Sequence, residues 1–86
     1  MTRIVWHEWP NNAAMADGNQ HEIEIDTTYM DGGDIACVIA KCSNVDEPEC
    51  FRDGGEVVIT EPENLAGTYD IFVDYEPTFY ASRRQT

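Results

Sequence analysis

The feature that most constrains the fold is a hydrophobic alternation of period two, recurring between short clusters of Gly, Pro, Asp and Asn. In residues 21–29, Ile23, Ile25 and Tyr29 alternate with Glu22, Glu24 and Asp26; in residues 68–76, Tyr69, Ile71, Val73 and Tyr75 alternate with Asp70, Phe72, Asp74 and Glu76. Successive side chains of a strand point to opposite faces, so each stretch predicts a strand with one face on a core and one in water. Residues 3–9 repeat the pattern, with Ile4 and Trp6 on one face and Val5, His7 and Trp9 on the other, as do residues 56–60 with Val57 and Ile59 inward. Residues 35–42 form an almost unbroken apolar run, which predicts a short central strand covered on both faces.

Turn residues join these stretches. The Asp31-Gly32-Gly33-Asp34 and Asp53-Gly54-Gly55 sequences predict reversals, and Pro10 and Pro77 close strands. Residues 11–17 suit one or two helical turns, with Asn11 or Asn12 as cap and Gly18 as terminator. Residues 43–52 carry Asp46, Glu47, Pro48 and Glu49 and predict an exposed acidic connection. Short strands joined in this way predict an all-β fold with room for one short helix: a small antiparallel β-sandwich or barrel of about five to seven strands. An 86-residue chain holds one modest core. The expected domain spans residues 1–80, with 81–86 as a flexible C-terminal tail. Ile23, Ile25, Ile35, Val38, Ile39, Val57, Ile59, Tyr69, Ile71 and Val73 are the expected core.

Charge narrows the range of functions. The chain has 17 Asp and Glu against 5 Lys and Arg, a formal net charge of -12. Such a field repels phosphates and acidic membranes and attracts basic surfaces, so direct nucleic-acid or membrane binding is not expected. No stretch reaches the roughly 20 apolar residues of a membrane span, and no secretory signal is evident, which predicts a cytoplasmic protein. The odd cysteine count, Cys37, Cys42 and Cys50, fits reduced thiols, with a Cys42–Cys50 bridge as the alternative.

Chemistry-bearing patterns are sparse. His7 and His21 are the only histidines, and neither stands in a nucleophile signature; there is no phosphate-binding glycine loop. His7 beside Glu8 and His21 beside Glu22 form at most a pH-sensitive surface patch. Zinc held by Cys37, Cys42, Cys50 and His21 lacks the usual ligand spacing, and calcium at Asp31, Asp34, Asp46 and Glu47 lacks the regular alternation of ligands. No catalytic residue, metal or cofactor is expected. The carboxylate rows carry the most functional content. A strand places every second side chain about 7 Å apart on one face, similar to the spacing of successive phosphates, so an acidic sheet imitates a nucleic-acid backbone. The expected partner-binding residues are Glu22, Glu24, Asp26, Asp46, Glu47, Glu49, Asp70, Phe72, Asp74 and Glu76. The alternative is that these rows are merely the solvated faces of amphipathic strands. Trp6 and Trp9 lie on opposite faces of a regular strand, so one is expected in the core and the other partly exposed; an exposed Trp beside acid would anchor an interface, although a core role is the favoured reading.

In length, carboxylate rows and lack of a catalytic motif, the chain resembles the small acidic inhibitors made by bacteriophages, including anti-CRISPR and DNA-mimicking proteins. That resemblance implies a non-enzymatic inhibitor, monomeric or dimeric, occupying the basic nucleic-acid channel of a host defence complex such as a CRISPR effector. Residues 66–73 also resemble the Gly-Thr-Tyr opening of a strand in immunoglobulin-like sandwiches, which implies instead a structural or adhesive module, for example a phage decoration domain.

Overall fold

The structure, a computed structural model, describes residues 1–11, 18, 20–46, 51, 53–75 and 78–84, with backbone alone for 42–46 and 75. The protein is mostly β: five antiparallel strands form one sheet, with a helix packed on one face. The strands are β1 (Thr2–Pro10), β2 (Gln20–Ile25), β3 (Gly55–Glu61), β4 (Gly67–Tyr75) and β5 (Thr78–Arg83), in spatial order β2-β1-β3-β4-β5. The helix α1 (Gly32–Asp46) lies between β2 and β3 in the chain and packs mainly over β5 and β4. A short 3-10 turn, Glu63–Leu65, leads into β4.

Register fixes which side chains share a face. Ile4 stands opposite Ile23, Trp6 opposite His21 and Ile59, Val57 opposite Tyr69, and Ile71 opposite Ala81. With Phe79 these residues form the inner face, and Ile35, Ala36, Ile39 and Ala40 of α1 close over it together with Phe51. Burying each large aliphatic or aromatic side chain contributes about 1.5–3 kcal/mol, so this face drives folding. Of the expected core, Ile35, Ile39, Val57, Ile59, Tyr69 and Ile71 are buried, and Ile23, Ile25 and Val73 pack against them half-buried. Val38 is half-buried and lies outside that cluster.

The clearest departure from the sequence reading is residues 35–42, which are helix and not a central strand. As a strand, this run would present Ala36, Val38 and Ala40 on the side opposite Ile35 and Ile39, and so needs cover on both faces. A chain this short supplies a single covering layer. As a helix, Ile35, Ala36, Ile39 and Ala40 recur at i, i+1, i+4 and i+5 and fall on one buried face, while Lys41 is exposed. The start is fixed by a reciprocal cap in the segment read as a turn. Asp34 N–H donates to Asp31 Oδ1 at 2.8 Å, and Asp31 N–H donates to Asp34 Oδ2 at 3.2 Å. Gly32 is required there because a side chain would collide with the Tyr69 hydroxyl, 1.9 Å from the position of its Cβ.

Three further expectations are corrected. Strand β2 ends at Ile25 instead of running to 29, because the Asp26 carboxylate takes the Thr28 N–H at 3.0 Å and turns the chain, leaving Tyr29 96% exposed. Residues 43–52 are not wholly an exposed connection: 43–46 end α1 and Phe51 is fully buried. Residues 81–83 belong to β5, and Arg84 N–H donates to Thr68 O at 2.7 Å, so pairing continues past the expected boundary at 80. The helix expected at 11–17 falls mostly outside the described residues. The strand expected to open near Gly67 does so, but its sheet is backed by a helix, without the second sheet of an immunoglobulin-like sandwich among the described residues.

Candidate functional site

Parity places the remaining strand residues on the sheet face turned away from α1; no described helix or strand packs on that face, while Gly18 lies against it at His7 and Trp9. Across it run Glu24 and Glu22 of β2; Arg3, Val5, His7 and Trp9 of β1; Glu56 and Val58 of β3; Thr68, Asp70 and Phe72 of β4; and Tyr80 and Ser82 of β5. Of the two rows predicted from sequence, Glu22 and Glu24 of the first and Asp70 and Phe72 of the second share this surface. Strands β1 and β3 lie between Glu22 and Asp70, and the two carboxylates are also offset along the strands, Glu22 standing level with Val5 and Asp70, through Glu56, level with Trp9.

The rows are not bare carboxylates. Arg3 Nε donates to Glu22 Oε2 at 2.8 Å and Arg3 Nη1 to Glu61 Oε2 at 2.9 Å, tying β2 to β3 across β1. Val5 is buried outside the core cluster, opposite both Glu22 and Glu61. At the other end, Arg84 engages Asp70 through two nitrogens, Nη2 to Oδ1 and Nε to Oδ2 at 3.3 Å, and its Nη2 also donates to Glu56 Oε2 at 2.7 Å. The hydrogen bonds that Arg84 donates to Asp70 and Glu56 hold its guanidinium pKa above its ordinary value, and those that Arg3 donates to Glu22 do the same for Arg3. The two bridges differ in setting. Glu22 and Glu61 have side chains 59% exposed, whereas those of Glu56 and Asp70 are 30% and 31% exposed.

Glu56 and Asp70 are shielded because they line a groove of about 770 Å³. Its walls include Trp9, Asn11, Phe72 and Arg84, and its floor is the Gly54–Gly55 turn. Gly54 has φ +80° and Gly55 φ +152°, both unfavourable for other residues, and a Cβ on Gly54 would lie 2.6 Å from the Ile71 carbonyl. Asn11 pins this turn by donating to Asp53 O at 2.9 Å. Trp9 is 44% exposed, and its ring lies against Gly18, where a Cβ would sit 2.5 Å from it. The loop carrying Gly18 is held by His7 Nδ1, which donates to the Gly18 carbonyl at 2.9 Å. Phe72 and Tyr80, each 52% exposed, are direct cross-strand partners beside the groove.

The other predicted site residues are distributed as follows. Glu24 and Asp74 are exposed, the latter at an irregularity between Val73 and Tyr75. Asp26 is engaged in its own turn, where hydrogen bonds from the Thr28 hydroxyl and N–H hold its carboxyl below the usual range. Asp46 ends α1 and its side chain lies outside the described residues, as do Glu47, Glu49 and Glu76. The face also contains residues the sequence reading did not select: Arg3, Glu56, Glu61, Tyr80 and Arg84. Their grouping depends on cross-strand register, which alternation does not reveal. Arg84 lay in the supposed tail.

Elsewhere, Trp6 stacks on His21 at 5.7 Å and donates its indole N–H to Glu8 Oε1 at 2.9 Å, so His21 belongs to the inner face. Burial pushes the Cys37 thiol up, and its Sγ–H donates to the Phe79 carbonyl at 3.6 Å. Among the described residues, no three His, Cys, Asp or Glu side chains are grouped so as to hold a metal, and no helix is long and apolar enough to cross a membrane. No family model, curated protein or solved structure matches this chain.

Proposed function

We propose that the protein is a non-enzymatic acidic inhibitor whose open sheet face binds the basic, nucleic-acid-binding surface of a host defence complex, in the manner of anti-CRISPR proteins. The observation that carries this reading is one face combining three exposed aromatics, Trp9, Phe72 and Tyr80, with the carboxylates Glu22, Glu24, Glu56, Glu61 and Asp70. Solvation alone accounts for carboxylates on a wet face but not for large aromatics held there on a rigid sheet. Aromatic anchors within a complementary charged rim are the usual composition of a protein-binding hot spot. The arginine bridges shift emphasis from pure phosphate mimicry towards a mixed interface. Five carboxylates against Arg3 and Arg84 leave the face negative, which suits steering of a basic partner, while the aromatics supply contact area.

The test is capture from nuclease-treated bacterial lysate by the immobilised protein, with mass spectrometry. The reading predicts a basic nucleic-acid-binding protein that is released by added DNA or RNA and by salt, and is not retained by a Trp9→Ala/Phe72→Ala variant of verified fold. Retention unaffected by nucleic acid and by the variant would overturn it.

A further inference from the structure

The Glu56–Asp70 groove already contains one guanidinium, that of Arg84, and lies beside two aromatic side chains. We infer that it is a recognition site for an arginine side chain of a protein partner, with Arg84 as an internal placeholder that the incoming arginine displaces. This rests on the reading of the open face as a partner-binding surface and names its anchor.

The donor and acceptor geometry selects arginine. Asp70 accepts from two guanidinium nitrogens and Glu56 from one, an arrangement that a planar five-donor fork satisfies and a lysine ammonium does not. Trp9 and Phe72 line the groove, and an aromatic side chain is a favourable neighbour for a guanidinium. The groove is a solvent-open depression of about 770 Å³. The Arg3 bridge offers a contrast: the depression beside it is about 230 Å³, is lined by Arg3, Glu22, Ile23 and Glu24, and has no aromatic wall.

Displacement costs little in lost contacts, because one guanidinium replaces another on the same carboxylates. The Arg84 side chain is 51% exposed, and its bridge has the modest strength of an exposed ion pair. Both Asp70 oxygens are engaged by Arg84, so a second guanidinium takes this fork only when the first leaves. The backbone of Arg84 stays anchored through its N–H to Thr68 O, which lets the side chain swing out without unpairing β5. An internal competitor lowers apparent affinity by the fraction of time that it is absent. A bridge of this kind filled roughly four-fifths of the time weakens binding about fivefold.

The test is a nitrogen-15 NMR titration with the blocked peptide Gly-Gly-Arg-Gly-Gly and its lysine and citrulline counterparts. Arg84→Ala is expected to bind the arginine peptide about fivefold more tightly than the parent protein, with shifts at the Trp9 indole and the amides of Glu56, Asp70 and Phe72. The lysine peptide is expected to bind more weakly and the citrulline peptide not at all, and Trp9→Leu is expected to lose the effect. Arg84→Gln serves if Arg84→Ala perturbs the spectrum. Equal affinity in the parent and both Arg84 variants, or equal binding of citrulline, would overturn the inference. If that happens while partner capture still depends on Trp9 and Phe72, the face stands and the arginine anchor falls.

Discussion

The Asp31–Asp34 pair shows how much one residue decides. Each carboxylate satisfies the other residue's N–H at the start of α1, so Asp31→Ala is expected to cost about 1 kcal/mol in urea unfolding, with Asp31→Asn close to neutral. Equal, negligible effects would mean that the cap is not formed. Asp26 gives a pH prediction. Its carboxyl pKa is lowered by Thr28, so the associated stabilisation is present above the unfolded value near pH 3.9 and is lost as pH falls through the lower folded value. Carbon-13 NMR of the Asp26 carboxyl is expected to give a midpoint below the ordinary aspartate value, moving part of the way back in Thr28→Ala, which loses the hydroxyl donor but keeps the backbone N–H. At Cys37, burial favours the protonated thiol, so peptide-resolved alkylation at pH 8 is expected to be slower than that of an exposed cysteine.

At the scale of elements, strands were legible where one face is wet and one dry, because alternation reports that asymmetry directly: β3 and β4 appear within one or two residues of their predicted limits. The helix was not legible. A six-residue apolar run has no visible period, and whether it becomes a buried strand or one face of a helix depends on how many layers the rest of the chain supplies. The Asp-x-x-Asp spacing ahead of the run was the available local signal, and Gly32-Gly33 concealed it by imitating a turn. The helix assignment predicts that Ile39→Ala costs about 2–5 kcal/mol and the half-buried Val38→Ala about 1 kcal/mol, read by chemical denaturation. Strand β5 makes its own prediction. A chain truncated after Tyr80 loses the pairing of Ala81, Ser82 and Arg83 with β4, and is expected to melt several degrees lower. An unchanged melting temperature would restore the tail reading.

At the scale of the molecule, alternation in the sequence marked Glu22, Glu24 and Asp70 as wet strand positions, but their placing on one face with Trp9 and Tyr80 required the strand order β2-β1-β3-β4-β5, in which chain neighbours β2 and β3 are separated by β1. On the proposed contact face, charge and aromatics have separable roles. Reversing Glu22 and Glu24 to Lys is expected to slow association and flatten its salt dependence, whereas Trp9→Ala and Phe72→Ala are expected to speed dissociation. The central claim, that the open sheet face is the contact surface, is tested most directly by hydroxyl-radical footprinting of the protein with its captured partner. Trp9, Phe72 and Tyr80 are exposed on that face, while Tyr29 is 96% exposed in the turn after β2 and serves as an internal control. The account predicts that the three lose reactivity together in the complex while Tyr29 keeps its own; protection of Tyr29 with the three unchanged would contradict it.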